Sequence, residues 1–291
     1  HSALQFQCFH ALLDPILIFG LWGAPRLELE GAALATLITR AITLLVAFYI
    51  LHRRLHMLVN PLIGFKRLLQ SWGAITHVGV PAMVASVIVP LASGIVVAMV
   101  ASYGHEAVAG MGVAIRIEPL ALIVFYALSG VIGPFVGQNL GAGLFTRLFQ
   151  VQKVVTIFCL SFGLVLTVVL WLFGDVFASV FSQSEQVLPV AVTYLSLVPI
   201  SYGAYGLVMS ANATFNGLGN PLPSIAISFM RVIGIFLPLA YFGKAWFGLT
   251  GLFAAIAMSN LVVGLLAYIW LRRTLRLLQQ SNEIQAASSR V

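Results

Sequence analysis

The side chains best placed to do chemistry in this sequence are ionisable groups set inside long apolar runs. Asp14 is the sharpest case. It stands in LLDPILIFG, directly before Pro15. Proline has no amide hydrogen and its ring clashes with the carbonyl four residues back, here that of Ala11. A carboxylate beside a freed carbonyl on a bent helix is a candidate cation or proton site. The plainer reading is an Asp near a helix end, since Gly20 lies only ~9 Å further along by helical rise. Arg40, Arg116 and Arg231 each sit about nine residues inside an apolar run, hence ~14 Å deep. Charge at that depth is costly and marks a functional candidate. Glu118 follows Arg116 by two residues, a spacing at which helical side chains do not face each other. Each therefore needs a partner on another helix or a wet cavity, and a structural ion pair serves as well as a ligand role. Thr36, Thr39, Asn212 and Asn216 fit interhelical hydrogen bonding. Phe125, Tyr126, Tyr202 and Tyr205 present ring faces to flat or cationic ligands, or simply pack.

Nothing points to an enzyme. There is no phosphate-cradling Walker-type loop. No nucleophile stands with a matched base, and no His or Cys cluster has metal spacing. Cys8 and Cys159 both lie in apolar runs and form no disulfide or metal pattern. No cofactor and no metal are expected.

The elements that must position these residues follow from composition. Hydrophobic residues make up 60% of the 291, and charged residues 8%, against roughly 25% charged in a soluble domain. A soluble core of this size could not hide so much apolar surface, whereas lipid solvates it. The net charge of +7 then reflects membrane topology, not nucleic-acid binding. A spanning helix needs about 20 mostly apolar residues. The stretches 3–20, 31–51, 74–102, 107–137, 152–181, 187–216, 222–243 and 247–271 qualify. They do not alternate with period two, which excludes a membrane β-barrel. Pro81, Pro90, Pro119, Pro134, Pro199 and Pro238 punctuate them as potential kinks.

Basic residues fix the orientation. Arg53, Arg54, Lys66 and Arg67, then Arg147 and Lys153, then Arg272, Arg273 and Arg276 occupy alternate loops and the tail. These are expected on the cytoplasmic side of a bacterial inner membrane, with the C-terminus. Segment 60–72 reads as an amphipathic helix lying in the cytoplasmic interface. The chain begins at His1 with no basic segment ahead of a short apolar core, so it carries no signal-peptide pattern.

Residues 31–53 and 251–273 repeat at an offset of 220: Gly31 meets Gly251, Ala35 meets Ala255, Leu45 meets Leu265, Ala47 meets Ala267, Leu51 meets Leu271 and Arg53 meets Arg273. Arg40 falls opposite Asn260, so both units set a polar group at that level. The offset spans six helices, which makes 74–273 one six-helix unit and 1–54 the last two helices of an earlier one. Residues 55–73 are then a linker and 274–291 a tail. About four spans are expected upstream of His1. Such repeats are typical of transporters, with the site at their interface.

Three stretches resemble the multidrug and toxic compound extrusion (MATE) family. LLDPILIFG with GAALATLITR resembles its fifth and sixth helices. AGMGVAIRIEPLALIVFYALSGVIGPFVGQNLGAG resembles its eighth, and NATFNGLGNPLPSI the turn from its tenth to its eleventh. The resemblance implies an all-α polytopic membrane protein: a complete six-helix C-terminal lobe plus the last two helices of an N-terminal lobe. It implies monomeric export of organic cations in exchange for protons or sodium ions. The branch resembled is the DNA-damage-inducible one. There the Asp of the DP pair and a Thr of the sixth helix belong to the coupling site, matched by Asp14 and Thr36. An Asn one turn before the Asp is His10 here, which favours protons over sodium. A second branch uses an acid eight positions after a Pro in the seventh helix. Counted from Pro81, that position is Val89, so that cation site is not expected. Two rival readings stand beside this one. A lipid-linked saccharide flippase of the same superfamily would use Arg40, Arg116 and Arg231. A non-transporting membrane scaffold would need Asp14 only for stability.

Overall fold

The computed structural model describes residues 12–21, 25–54, 56 and 65–288. The chain divides into two compact units, His1–Ala74 and Ile75–Val291.

In the first unit, helix α1 (12–19) turns back into α2 (Glu28–Arg53). The Leu27 amide donates to the Leu17 carbonyl at 3.1 Å and pins the connection. Gly31, Ala35 and Thr39 are the buried residues of α2, and a four-residue spacing puts them on one face. Gly31 lies against the Leu17 carbonyl so closely that a Cβ would overlap it. Glu28 and Glu30 open α2, and His52 and Arg53 close it, which complements the helix dipole.

Helix α3 runs unbroken over Phe65–Ala101. From Phe65 onward, the amphipathic stretch expected over 60–72 is thus the first part of the helix that carries the third apolar run. The second unit continues with α4 (His105–Gly141), α5 (Phe145–Phe181) and α6 (Leu188–Leu197). A 3-10 turn (Val198–Ser201) leads into α7 (Tyr202–Gly217), followed by α8 (Leu222–Phe229), a π-helical segment (Met230–Phe236) and α9 (Leu237–Ser288). Pro119 and Pro134 are carried inside a continuous α4. Pro199, by contrast, lies in the 3-10 turn that separates α6 from α7. Helix α9 breaks at Gly248, with φ 61° and ψ −137°, a left-handed φ that glycine adopts at little cost. The seventh and eighth apolar runs are thereby two arms of a hairpin. As far as they are described, all eight expected stretches lie on helices. The last arm stays helical to Ser288, beyond the expected end of the lobe at 273.

The core of the second unit is aromatic and aliphatic, with Tyr202, Phe125, Phe215 and Phe253 fully buried. Its periphery is apolar too: Val154, Leu164, Trp171 and Val180 on α5 are each more than 60% exposed. A surface of that kind is suited to lipid, where every backbone polar group must be satisfied within helices. Helices α5 and α7 cross backbone to backbone at Gly163 and Gly203, the small-residue contact by which membrane helices pack without a hydrophobic driving force.

Several of the matched positions share an environment. Gly31 abuts the preceding helix at Leu17, and Gly251 abuts the preceding arm at Gly243. Ala35 and Ala255 are both buried, as are Thr39 and Ser259. At the next position the halves part: Asn260 is buried and Arg40 is exposed. The expectation that both units set a polar group at that level holds for residue type and fails for environment.

Candidate functional site

The first unit holds Asp14 and Thr36. Asp14 is half-buried on α1 and is followed by Pro15. Thr36 is half-buried on α2, and its hydroxyl donates to the Ala32 carbonyl at 3.0 Å. Gly31 packs at Leu17, so counting ~5 Å back along α1 and forward along α2 sets Asp14 roughly level with Ala35 and Thr36. His10 lies outside the described residues.

The second unit brings Glu118, Arg231 and Asn260 to one cavity of about 260 Å³. Three tyrosines, Tyr126, Tyr194 and Tyr205, line it with them. Glu118, Arg231 and Asn260 arrive on three different elements, α4, the π-helical segment and α9. Glu118 precedes Pro119 on α4, and both line the cavity together with Ile115. Proline at 119 leaves the Ile115 carbonyl without its helical donor, so this turn of α4 is polar. The Tyr194 hydroxyl on α6 donates to Glu118 Oε2 at 2.9 Å, and its ring stands edge-to-face with Phe253 at 5.1 Å. Arg231 lies in the π-helical segment. Wide turns of this kind recur at functional sites.

A chain of contacts holds the Arg231 head. Its guanidinium carbon sits 4.8 Å from the Tyr205 ring centroid, a cation–π distance. Its Nη1 donates to Asn260 Oδ1 at 3.3 Å. Asn260 Nδ2 donates to Ser201 Oγ at 3.1 Å, and Ser201 donates to the Val198 carbonyl at 2.8 Å. The 3-10 turn thus reaches the cavity through a relay of two side chains. Among the described residues, Arg231 and Glu118 line the same cavity without closing an ion pair.

Arg116 does not join them. It is exposed, whereas Glu118 two residues on is half-buried. Two helical positions are about 200° of rotation, so the two side chains leave α4 on opposite faces, and Arg116 does not line this cavity. Arg40 is exposed on α2. Asn212, expected to bond between helices, does so: its Nδ2 donates to Ser228 Oγ at 3.4 Å, and Ser224 Oγ donates to its carbonyl at 3.0 Å. Among the described residues no group of three or more acidic, His or Cys side chains could hold a metal ion. Tyr194 and Ser201 were not singled out in the sequence. The available signal was the requirement that Glu118 and Arg231 each find partners on other helices.

The fold and this cavity define a polytopic helical membrane protein with a charged site inside its bundle. The MatE family's sequence model matches residues 81–242, more than half of the chain, and the chain belongs to that family. It is 36% identical over 262 residues to a protein of Shewanella oneidensis named FAD transporter, covering 90% of this chain and 58% of the relative. A probable multidrug resistance protein of Bacillus subtilis, YoeA, is 29% identical, with 92% and 60% covered. The crystal structure of the Vibrio cholerae MATE transporter VcmN in its bent form superposes with a TM-score of 0.79 at 28% identity, covering 94% of this chain and 61% of that one. The chain therefore spans about 60% of the length of the relatives it matches.

Proposed function

We propose that the protein is a secondary transporter that moves small organic molecules across the inner membrane by alternating access, exporting them in exchange for protons. The observation that carries this reading is the cavity of about 260 Å³ in an otherwise apolar bundle, with one carboxylate, one guanidinium and three tyrosines on its walls. A static scaffold gains nothing from such a site, because charge inside a membrane bundle costs stability. The relatives' names support transport, and they widen the range of cargo: one is named for multidrug resistance and another for FAD. Flat aromatic molecules fit both names and suit tyrosine walls.

Coupling is assigned to Asp14 beside Pro15, with His10 and Thr36 as its polar company. A carboxyl at a proline bend changes charge on taking a proton, and that biases one bend angle over another. Protons are preferred to sodium because His10 offers a titrating nitrogen in place of a neutral amide oxygen. The cytoplasmic C-terminus follows from the basic loops.

The test is substrate-driven dissipation of a pH gradient in sealed vesicles containing the full-length protein. Exchange is expected with a flat aromatic substrate inside or outside the vesicle. Absence of flux with any substrate, at verified insertion, refutes transport and leaves the scaffold reading.

A further inference from the structure

We infer that the cavity of the second unit is an anion subsite: Arg231 holds the phosphate or carboxylate of a flat aromatic ligand whose ring lies against Tyr205 and Tyr126. The inference rests on the transport reading and adds the ligand's chemical class. A guanidinium offers five N–H donors in a planar fork. Arg231 uses one of them on Asn260 and lays its face on Tyr205. No acidic group among the described residues comes within ion-pair distance.

Glu118 lines the same cavity beyond ion-pair distance, and its Oε2 accepts from the Tyr194 hydroxyl instead. The donors of the fork that Asn260 does not use are therefore left to a ligand's oxygens. The fork is also braced before any ligand arrives. Asn260 is 4% exposed and is fixed by Ser201, so little side-chain freedom remains to be lost on binding. A planar, braced guanidinium matches the two oxygens of a phosphate or carboxylate.

Size narrows the ligand further. The cavity measures about 260 Å³, below the roughly 300–1,000 Å³ of sites that enclose drug-sized molecules. It admits one fused ring system, with any longer substituent leaving through the mouth. Glu118 sets the discrimination. Its carboxylate disfavours a second negative charge, so the tolerated ligand carries its acidic group on the Arg231 side and presents a neutral or donor edge to Glu118.

The test uses flavin mononucleotide and riboflavin, which share a ring and differ by a phosphate. Binding to the purified protein in nanodiscs of neutral zwitterionic lipid is followed by flavin fluorescence. The phosphorylated flavin is expected to bind at least tenfold tighter, about 1.4 kcal/mol. Arg231→Gln should bring it down to the riboflavin level, with a monodisperse size-exclusion profile showing that the variant is folded. Arg231→Lys should fall between, keeping the charge and losing the fork. Glu118→Gln should tighten the phosphorylated flavin. Millimolar inorganic phosphate should compete with the phosphorylated flavin and leave riboflavin unaffected. Equal binding of the two flavins, a preference that survives Arg231→Gln, or tighter binding of the planar cation ethidium overturns the subsite. If the subsite fails while a pH gradient is still discharged by a drug, transport stands without it. If the flavins behave as expected and no flux is seen, the subsite stands and the transport reading falls.

Discussion

Replacing Gly163 by alanine tests whether the backbone crossing of α5 and α7 supports both the bundle and the cavity. A Cβ at Gly163 would overlap the Cα and amide nitrogen of Gly203 and stand 3.3 Å from the Tyr202 carbonyl carbon. All three are main-chain atoms, so no side chain can swing aside and the helices themselves must part. Overpacking of this kind costs about 1–3 kcal/mol. Alanine regains about 1 kcal/mol of helix propensity over glycine, and because only main chain stands in the way the cost falls at the upper end, so the net loss is about 2 kcal/mol. Gly130 on α4 is the control, because a Cβ there meets nothing within 4 Å and only the propensity gain applies. For a protein of this size, each kcal/mol moves the midpoint by about 2–4 °C. Gly163→Ala should therefore melt about 4–8 °C below wild type, and Gly130→Ala at or slightly above it. The assay is residual monodisperse protein by size-exclusion chromatography after stepped heating in detergent. Because α7 also carries Tyr202 and Tyr205, Gly163→Ala should weaken ligand binding where Gly130→Ala does not. A Gly163→Ala midpoint at or above that of Gly130→Ala would show that the helices yield freely, and the packing argument would be wrong.

In the full-length protein, Asp14→Asn is expected to leave expression and insertion intact and to abolish proton-driven export, measured as drug-evoked dissipation of a pH gradient in inverted vesicles. Wild-type exchange by this variant across pH 6 to 8 would reduce Asp14 to a structural residue. His10→Ala should shift the pH dependence of the same flux more mildly. Tyr194→Phe removes the hydroxyl that donates to Glu118, an internal hydrogen bond worth about 0.5–1.5 kcal/mol of stability. It should release the Glu118 carboxyl from α6 and lower apparent affinity for the phosphorylated flavin, and an unchanged affinity would mean that Glu118 needs no support from α6. Cysteines introduced at Leu58 and Ser184 should react with an impermeant reagent from opposite sides of the membrane. Labelling from the same side would break the proposed topology.

The helices were legible in the sequence because lipid imposes a single requirement, about 20 apolar residues per crossing, and composition records it directly. The repeat was legible for a related reason. Gly31 and Gly251 each let a helix lie against the one before it, and no other residue type fits there. The site was half legible. Glu118, Arg231 and Asn260 stand out as polar residues in apolar runs, so each could be named. Their meeting depends on how α4, the π-helical segment and α9 pack, which residue types do not encode locally. Arg116 was named on the same ground and faces the other way, because depth in a span says nothing about direction around the helix. Tyr194 escaped notice because a tyrosine in an apolar run is ordinary until its hydroxyl is seen on a carboxylate. The π-helical segment left no trace either, since Met230–Phe236 is as apolar as its neighbours apart from Arg231 itself.

That segment has a consequence for tolerated changes in chain length. A π turn stores a residue beyond what an α-helix of the same rise would hold. Deleting one residue between Met230 and Phe236 would let the helix rewind into α form with almost no shortening. The flanking helices would keep nearly their present phase, because the surplus residue is taken up within the wide turn. Ser224 and Ser228 on α8 would still face Asn212, while Arg231 would be re-aimed away from the ring of Tyr205 and the amide of Asn260. A bundle of the same length would result, still able to cross the membrane, with a cavity that had lost its positive charge. One surplus residue in a single turn thus aims one side chain and leaves the two helices that it joins undisturbed.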